Sequence, residues 1–123
     1  DARHRVNGVA TLTTTINTAT ELGATFDLTE VVSDQAASAT RTVKIVNDKD
    51  LVVMDEIKAR TDKSAKVRWC MVTPAVPTVE SNRIVLTNGS KVMYLTASGS
   101  VKPTYKQWST TSENSYDQAN PDC

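Results

Sequence analysis

Apolar residues along this chain recur in short alternating runs rather than at helical spacing. No window longer than about 12 residues holds a clean apolar period of 3.6. Turn residues separate the runs, Val and Thr are abundant, and Gly and Pro are few. β-Branched side chains fit a pleated surface. The pattern predicts an all-β fold, an antiparallel β-sandwich, with residues 1–123 forming one domain.

The expected strands are Arg5 to Ile16, Ala24 to Leu28, Ala65 to Thr73 and Lys102 to Trp108, together with two hairpins. Thr18 to Gly23 is a connection. Glu30 to Ser38 is polar and Ala-rich, which predicts a loop or one helical turn. The first hairpin spans Arg41 to Ile57 around Asn47-Asp48-Lys49-Asp50. A symmetric turn there pairs Ile45 with Val52, Val43 with Met54, and Arg41 with Glu56 on one face. The first two pairs read as core and Arg41–Glu56 as an ion pair at its rim. Asp55 falls on the other face, among Val53 and Ile57, as a carboxylate held for structural reasons. Leu51 to Ile57 is apolar on both faces, so its outer side calls for a cover: another sheet or a neighbouring domain. The second hairpin joins Arg83–Thr87 to Lys91–Ala97 around Asn88-Gly89, with its register open between a tight and a bulged turn.

In Ala65 to Thr73, Val67, Trp69 and Met71 share a face, which makes Trp69 a core aromatic and places Cys70 as a buried free thiol. Pro74 and Pro77 end that run. Cys123 ends the chain, and the spacing does not support a bridge between the two cysteines.

Charge and length narrow the function. Lys plus Arg and Asp plus Glu number 14 each among 123 residues. That balance argues against a nucleic-acid partner. No run approaches the roughly 18 apolar residues of a membrane span, so no membrane partner is expected. The polar start, Asp1-Ala2-Arg3-His4-Arg5, is not a signal peptide. Together with the ending Asn120-Pro121-Asp122-Cys123, it reads as a piece cut at both ends from a longer protein.

Catalytic chemistry finds little to use. His4 is the single histidine. It lies in no triad-like setting, and no convergent ligand spacing suggests a metal. Adjacent Asp55 and Glu56 point to opposite faces of a strand and cannot flank one glycosidic bond. The expectation is no catalytic residue, no metal and no cofactor. Lys58, Arg60, Lys63, Lys66 and Arg68 form a basic cluster, read either as a solvated edge or as a contact for an anionic glycan or acidic domain. Arg3, His4 and Arg5 join Lys58, Arg60, Lys66 and Arg68 as cleft or domain-contact candidates. Arg41, Asp55, Glu56 and Trp69 are the structural set.

The motifs RVNGVATL (Arg5 to Leu12), FDLTEVV (Phe26 to Val32), RTVKIVNDKDLVVMDEIKA (Arg41 to Ala59), VRWCMVTPA (Val67 to Ala75) and RIVLTNGSKVMYL (Arg83 to Leu95) occur in that order. Their order resembles the C-terminal β-sandwich region of heparinase II/III-like polysaccharide lyases. An Arg-led strand followed by one ending in aspartate, as at Arg41 and Asp55, is common there. So is a Trp strand running into Thr, as from Trp69 to Thr73. The resemblance implies a parent enzyme, periplasmic or secreted, that cleaves uronate-containing polysaccharide by β-elimination. It places the family's Tyr, His and Asn or Gln groups in an N-terminal α/α-toroid and near the domain junction. The family's His-Asn motif has no counterpart here, and His4 takes no catalytic role from it. The implied partners are that catalytic domain and an acidic polysaccharide. The alternatives are a stand-alone carbohydrate-binding module using Tyr105, Trp108 or the basic cluster, and an Ig-like structural module.

Overall fold

The structure, a computed structural model, describes residues 7–62, 64, 66–100 and 103–106. Among the described residues seven strands form two antiparallel sheets, and no helix occurs. This is the expected all-β antiparallel class, with the strand complement of a small β-sandwich. The contacts divide the chain into two compact units, one through Arg68 and one from Trp69.

The first unit is a four-stranded meander of β1 (Thr11–Asn17), β2 (Glu21–Asp27), β3 (Ala36–Val46) and β4 (Asp50–Ala59), paired in chain order. Short connections make sequence neighbours into ladder neighbours. Thr18 closes the β1–β2 turn, where its hydroxyl accepts the Glu21 N–H at 3.0 Å. Between β2 and β3 the chain makes one helix-like turn. The Val32 and Ala36 N–H groups donate to carbonyls four residues back, on Leu28 and Val32. The expected loop or single helical turn over Glu30 to Ser38 therefore holds only as far as Gln35, because Ala36 to Ser38 already pair with β4 as the start of β3. Among the described residues of this unit Ala36, Ala39 and Thr42 are buried, all on the first seven residues of β3.

The β3–β4 hairpin pairs one residue out of the expected register. Asn47 and Asp48 both have positive φ, 51° and 54°, and the Lys49 N–H donates to the Val46 carbonyl at 3.1 Å. Asn and Asp tolerate the left-handed region better than other non-glycine residues, and a turn built on them suits a hairpin's twist. The strands then resume at Val46 opposite Asp50, leaving Lys49 as an extra residue. The pairs are Ile45 with Leu51, Val43 with Val53, and Arg41 with Asp55, in place of Val52, Met54 and Glu56. A slip of one residue exchanges the faces of a whole strand.

As a result one face carries the rows Leu22–Ile45–Leu51, Ala24–Val43–Val53 and Phe26–Arg41–Asp55, followed by Ala39–Ile57. The other carries Gly23–Lys44–Val52, Thr25–Thr42–Met54 and Asp27–Thr40–Glu56. Gly23 is required on this second face. A Cβ there would lie 2.6 Å from the Lys44 Cα and closer still to the Val43 carbonyl oxygen.

The second unit is a three-stranded meander of β5 (Val76–Val79), β6 (Ile84–Asn88) and β7 (Lys91–Leu95). β5 is absent from the sequence-based expectation because Pro77 lies inside it. As an edge strand it can turn a position without an N–H toward solvent. The β6–β7 hairpin pairs Asn88 with Lys91, so Gly89 and Ser90 are the loop. Gly89 has φ of 59°. Positive φ at the first central position alone is the type II′ pattern, which settles the open register. Leu86 is the buried centre of this sheet.

No strand forms between Lys66 and Thr73, although Val67, Trp69 and Met71 alternate as expected. Trp69 is 42% exposed and Cys70 is exposed, so neither the core tryptophan nor the buried thiol holds. Alternation marks a strand only where a neighbouring strand supplies hydrogen bonds, and this segment joins no ladder. Pro103 to Lys106, the described part of the expected last strand, is also irregular.

Candidate functional site

The expected contact residues fall in three places. Arg3, His4 and Arg5 lie outside the described residues, as do Lys63, Trp108 and Cys123. Lys58 is on β4, opposite Ser38. Arg60, Lys66 and Arg68 follow on the irregular segment after β4, and all four of these cations are exposed. Arg60 is committed locally: its Nε donates to Asp62 Oδ1 at 3.1 Å and its Nη1 to the Ser33 carbonyl at 3.4 Å. These residues lie along one stretch of chain, and the structure does not assemble them into a pocket.

The ion pair at the sheet is between Arg41 and Asp55, where Glu56 had been expected. Nε meets Oδ1 at 2.6 Å and Nη2 meets Oδ2 at 2.7 Å. The side-on fork is the strong geometry for Arg and carboxylate, and it raises the guanidinium's pKa further. Glu56 is exposed on the opposite face. On that same face Lys44 Nζ contacts Glu21 Oε1 at 2.7 Å, reaching diagonally across β2 and β3.

Around Arg41–Asp55 the first face is apolar and open. Leu22 is 50% exposed, Ile45 46%, Leu51 68% and Ile57 40%. The side chains that normally build a core instead form a continuous exposed surface crossing three strands. Large patches of this kind mark contact surfaces.

A constellation that the sequence reading passed over lies on the second sheet. Ser81-Asn82 forms the β5–β6 turn, with the Glu80 N–H donating to the Arg83 carbonyl at 2.9 Å. This sets Arg83 Nε 2.6 Å from Glu80 Oε2. The guanidinium lies over the Tyr94 ring, 4.5 Å from its centroid. The available signal was the acid-x-x-Arg spacing at a turn. Tyr94 joins only through the β6–β7 register, which puts it opposite Val85.

Other features offer less. A shallow hollow of ≈ 260 Å³ is lined by Thr73, Ala75, Leu86, Asn88, Lys91, Val92 and Met93 and presents no convergent acid or base. Among the described residues no three His, Cys, Asp or Glu side chains group as metal ligands. The Tyr105 hydroxyl is used structurally, accepting the Ala97 N–H at 2.8 Å and donating to the Ala97 carbonyl at 3.2 Å. No helix among the described residues is long and apolar enough to cross a membrane. No protein-family model matches the chain, and no curated protein matches it.

Proposed function

We propose that the chain is the non-catalytic C-terminal β-domain of a heparinase II/III-like polysaccharide lyase. It packs on a catalytic toroid through the apolar face of its four-stranded sheet and helps shape the cleft. The observation that carries this reading is the open surface of Leu22, Ile45, Leu51, Val53 and Ile57. A neighbouring domain of the same protein would bury it at a smaller cost in association entropy than a separate partner, because the two are covalently joined. The ordered motifs support the same reading. Arg41 to Ala59 holds the second half of β3, the β3–β4 turn and all of β4, and Arg83 to Leu95 holds the β6–β7 hairpin.

In the proposed parent, a base removes the proton beside the uronate carboxylate. An acid assists departure of the 4-linked sugar, and a neutralising group stabilises charge gathering on the carboxylate. Those groups belong to the toroid and the domain junction. The proposed site of action is periplasmic or secreted. The test compares the 123-residue chain with the complete gene product on heparin, heparan sulfate and alginate. The expected result is unsaturated uronate from the complete product and none from the chain alone. Release by the chain alone, or an inert complete product on all three polymers, would overturn the reading.

A further inference from the structure

The two faces of the three-stranded sheet differ. One face gathers Pro77, Val79, Ile84, Leu86, Met93 and Leu95 around the buried Leu86. The other carries Thr78, Val85 and Tyr94 in one row and Val76, Thr87 and Val92 in the next. Apart from half-buried Val85, all of these are exposed, Tyr94 by 61%.

Arg83 stands at this face in a fixed pose. Glu80 holds its Nε and the Tyr94 ring supports its plane. Among the described residues, Nη1 and Nη2 have no hydrogen-bond partner, nor do the hydroxyls of Thr78 and Thr87. A guanidinium fixed through Nε and by stacking keeps its terminal fork for a second oxyanion, with little rotamer entropy left to lose. The surrounding exposed methyl and hydroxyl groups of Val76, Thr78, Thr87 and Val92 suit a sugar ring, which presents C–H faces and hydroxyls together.

We infer that Arg83, on its Tyr94 support, binds the carboxylate or sulfate group of an acidic saccharide, with Thr78 and Thr87 facing the sugar hydroxyls. The choice of a saccharide rests on the proposed lyase reading; the oxyanion site rests on geometry alone. On that reading, the domain contributes a polymer contact of its own outside the catalytic centre.

The test titrates the full chain with an alginate tetrasaccharide, a heparin tetrasaccharide, neutral cellotetraose and a poly-glutamate peptide, read by NMR on the Arg Nε–H and backbone amides. Saturable shifts at Arg83, Thr87 and Tyr94 with an acidic saccharide are expected. Alginate binding makes carboxylate sufficient, and binding of heparin alone makes sulfate the group. Arg83→Ala weakens binding on the order of tenfold, the value of one charge-assisted fork. Arg83→Lys keeps the charge, loses the fork, and weakens it several-fold; it decides the matter if Arg83→Ala fails to fold. Equal binding by Arg83→Lys and the parent sequence, shifts confined to other residues, equal binding of cellotetraose, tighter binding of the peptide, or no binding of either acidic saccharide overturns the inference. Failure here with an active complete lyase removes only the Arg83 site. Binding at Arg83 by a chain whose complete product has no lyase activity removes only the lyase reading.

Discussion

Arg41 on β3 faces Asp55 on β4 and grips both of its carboxylate oxygens, at 2.6 and 2.7 Å, in the middle of an open apolar sheet face. The two side chains keep 40% and 20% of their exposure, so solvent screens the pair in part. A double-mutant cycle on Arg41→Ala and Asp55→Ala, followed by urea unfolding, should give a coupling of about 0.5–1.5 kcal/mol. Glu56→Ala should stay within about 0.5 kcal/mol of the parent. The reverse order of Asp55 and Glu56 would restore the symmetric register and reject the bulged one.

Two glycines are required for different reasons, and alanine separates them. Gly23→Ala puts a Cβ into the β3 backbone at Lys44 and Val43. It should cost about 1–3 kcal/mol, as overpacking does. Gly89 has open space around it but a φ of 59°. Gly89→Ala therefore meets only the left-handed backbone penalty, about 1–2 kcal/mol. Thermal unfolding of both variants checks the pair, and restoring a compatible turn residue with Gly89→Asn should recover part of the second loss and none of the first.

Asp27 gives the fold an acid dependence. Its Oδ1 accepts the Thr29 N–H at 2.8 Å. Hydrogen bonds from the Thr29 side chain and backbone hold its pKa below the ordinary aspartate value of 3.8. A depressed folded-state value means the stabilisation is complete above the unfolded value and is lost as pH falls through the folded one. Carbon-detected NMR titration should place the Asp27 midpoint below 3.8. In Asp27→Asn, stability should change less between pH 4 and about pH 2 than in the parent. A midpoint at or above the ordinary value would reject this account.

Much of the fold was legible in the sequence because its signals were local. Alternation and β-branching marked β3, β4, β6 and β7, and Ala-rich polarity marked the turn before β3. What failed was whatever depended on tertiary pairing. The Asn47-Asp48 turn adds Lys49 to one side of the hairpin, and that single residue moved the ion pair from Glu56 to Asp55. Val67 to Met71 had the strand pattern without a partner strand, and Pro77 hid a real edge strand. Of the candidate site, the two apolar sides of Leu51 to Ile57 were readable. The grouping of Glu80, Arg83 and Tyr94 was not, because it needs both a turn and a β6–β7 register.

The proposed covering of the apolar face makes a separate prediction for Leu51. On an exposed edge strand, Leu51→Lys should shift the stability of the isolated chain by no more than about 0.5 kcal/mol. In the complete protein it places a charge in a buried contact and should destabilise domain packing by several kcal/mol. Differential scanning calorimetry of both proteins measures the contrast. Equal effects in the two would mean that nothing covers Leu51.

Hydroxyl-radical footprinting read by mass spectrometry tests the domain assignment most directly, because it reports side-chain exposure residue by residue. In the 123-residue chain, Leu22, Ile45, Leu51 and Ile57 should all react, as should Tyr94. In the complete gene product the four aliphatic residues should be protected while Tyr94 stays reactive. Unchanged reactivity of Leu22, Ile45, Leu51 and Ile57 between the two proteins would contradict a β-domain packed on a catalytic partner through this face.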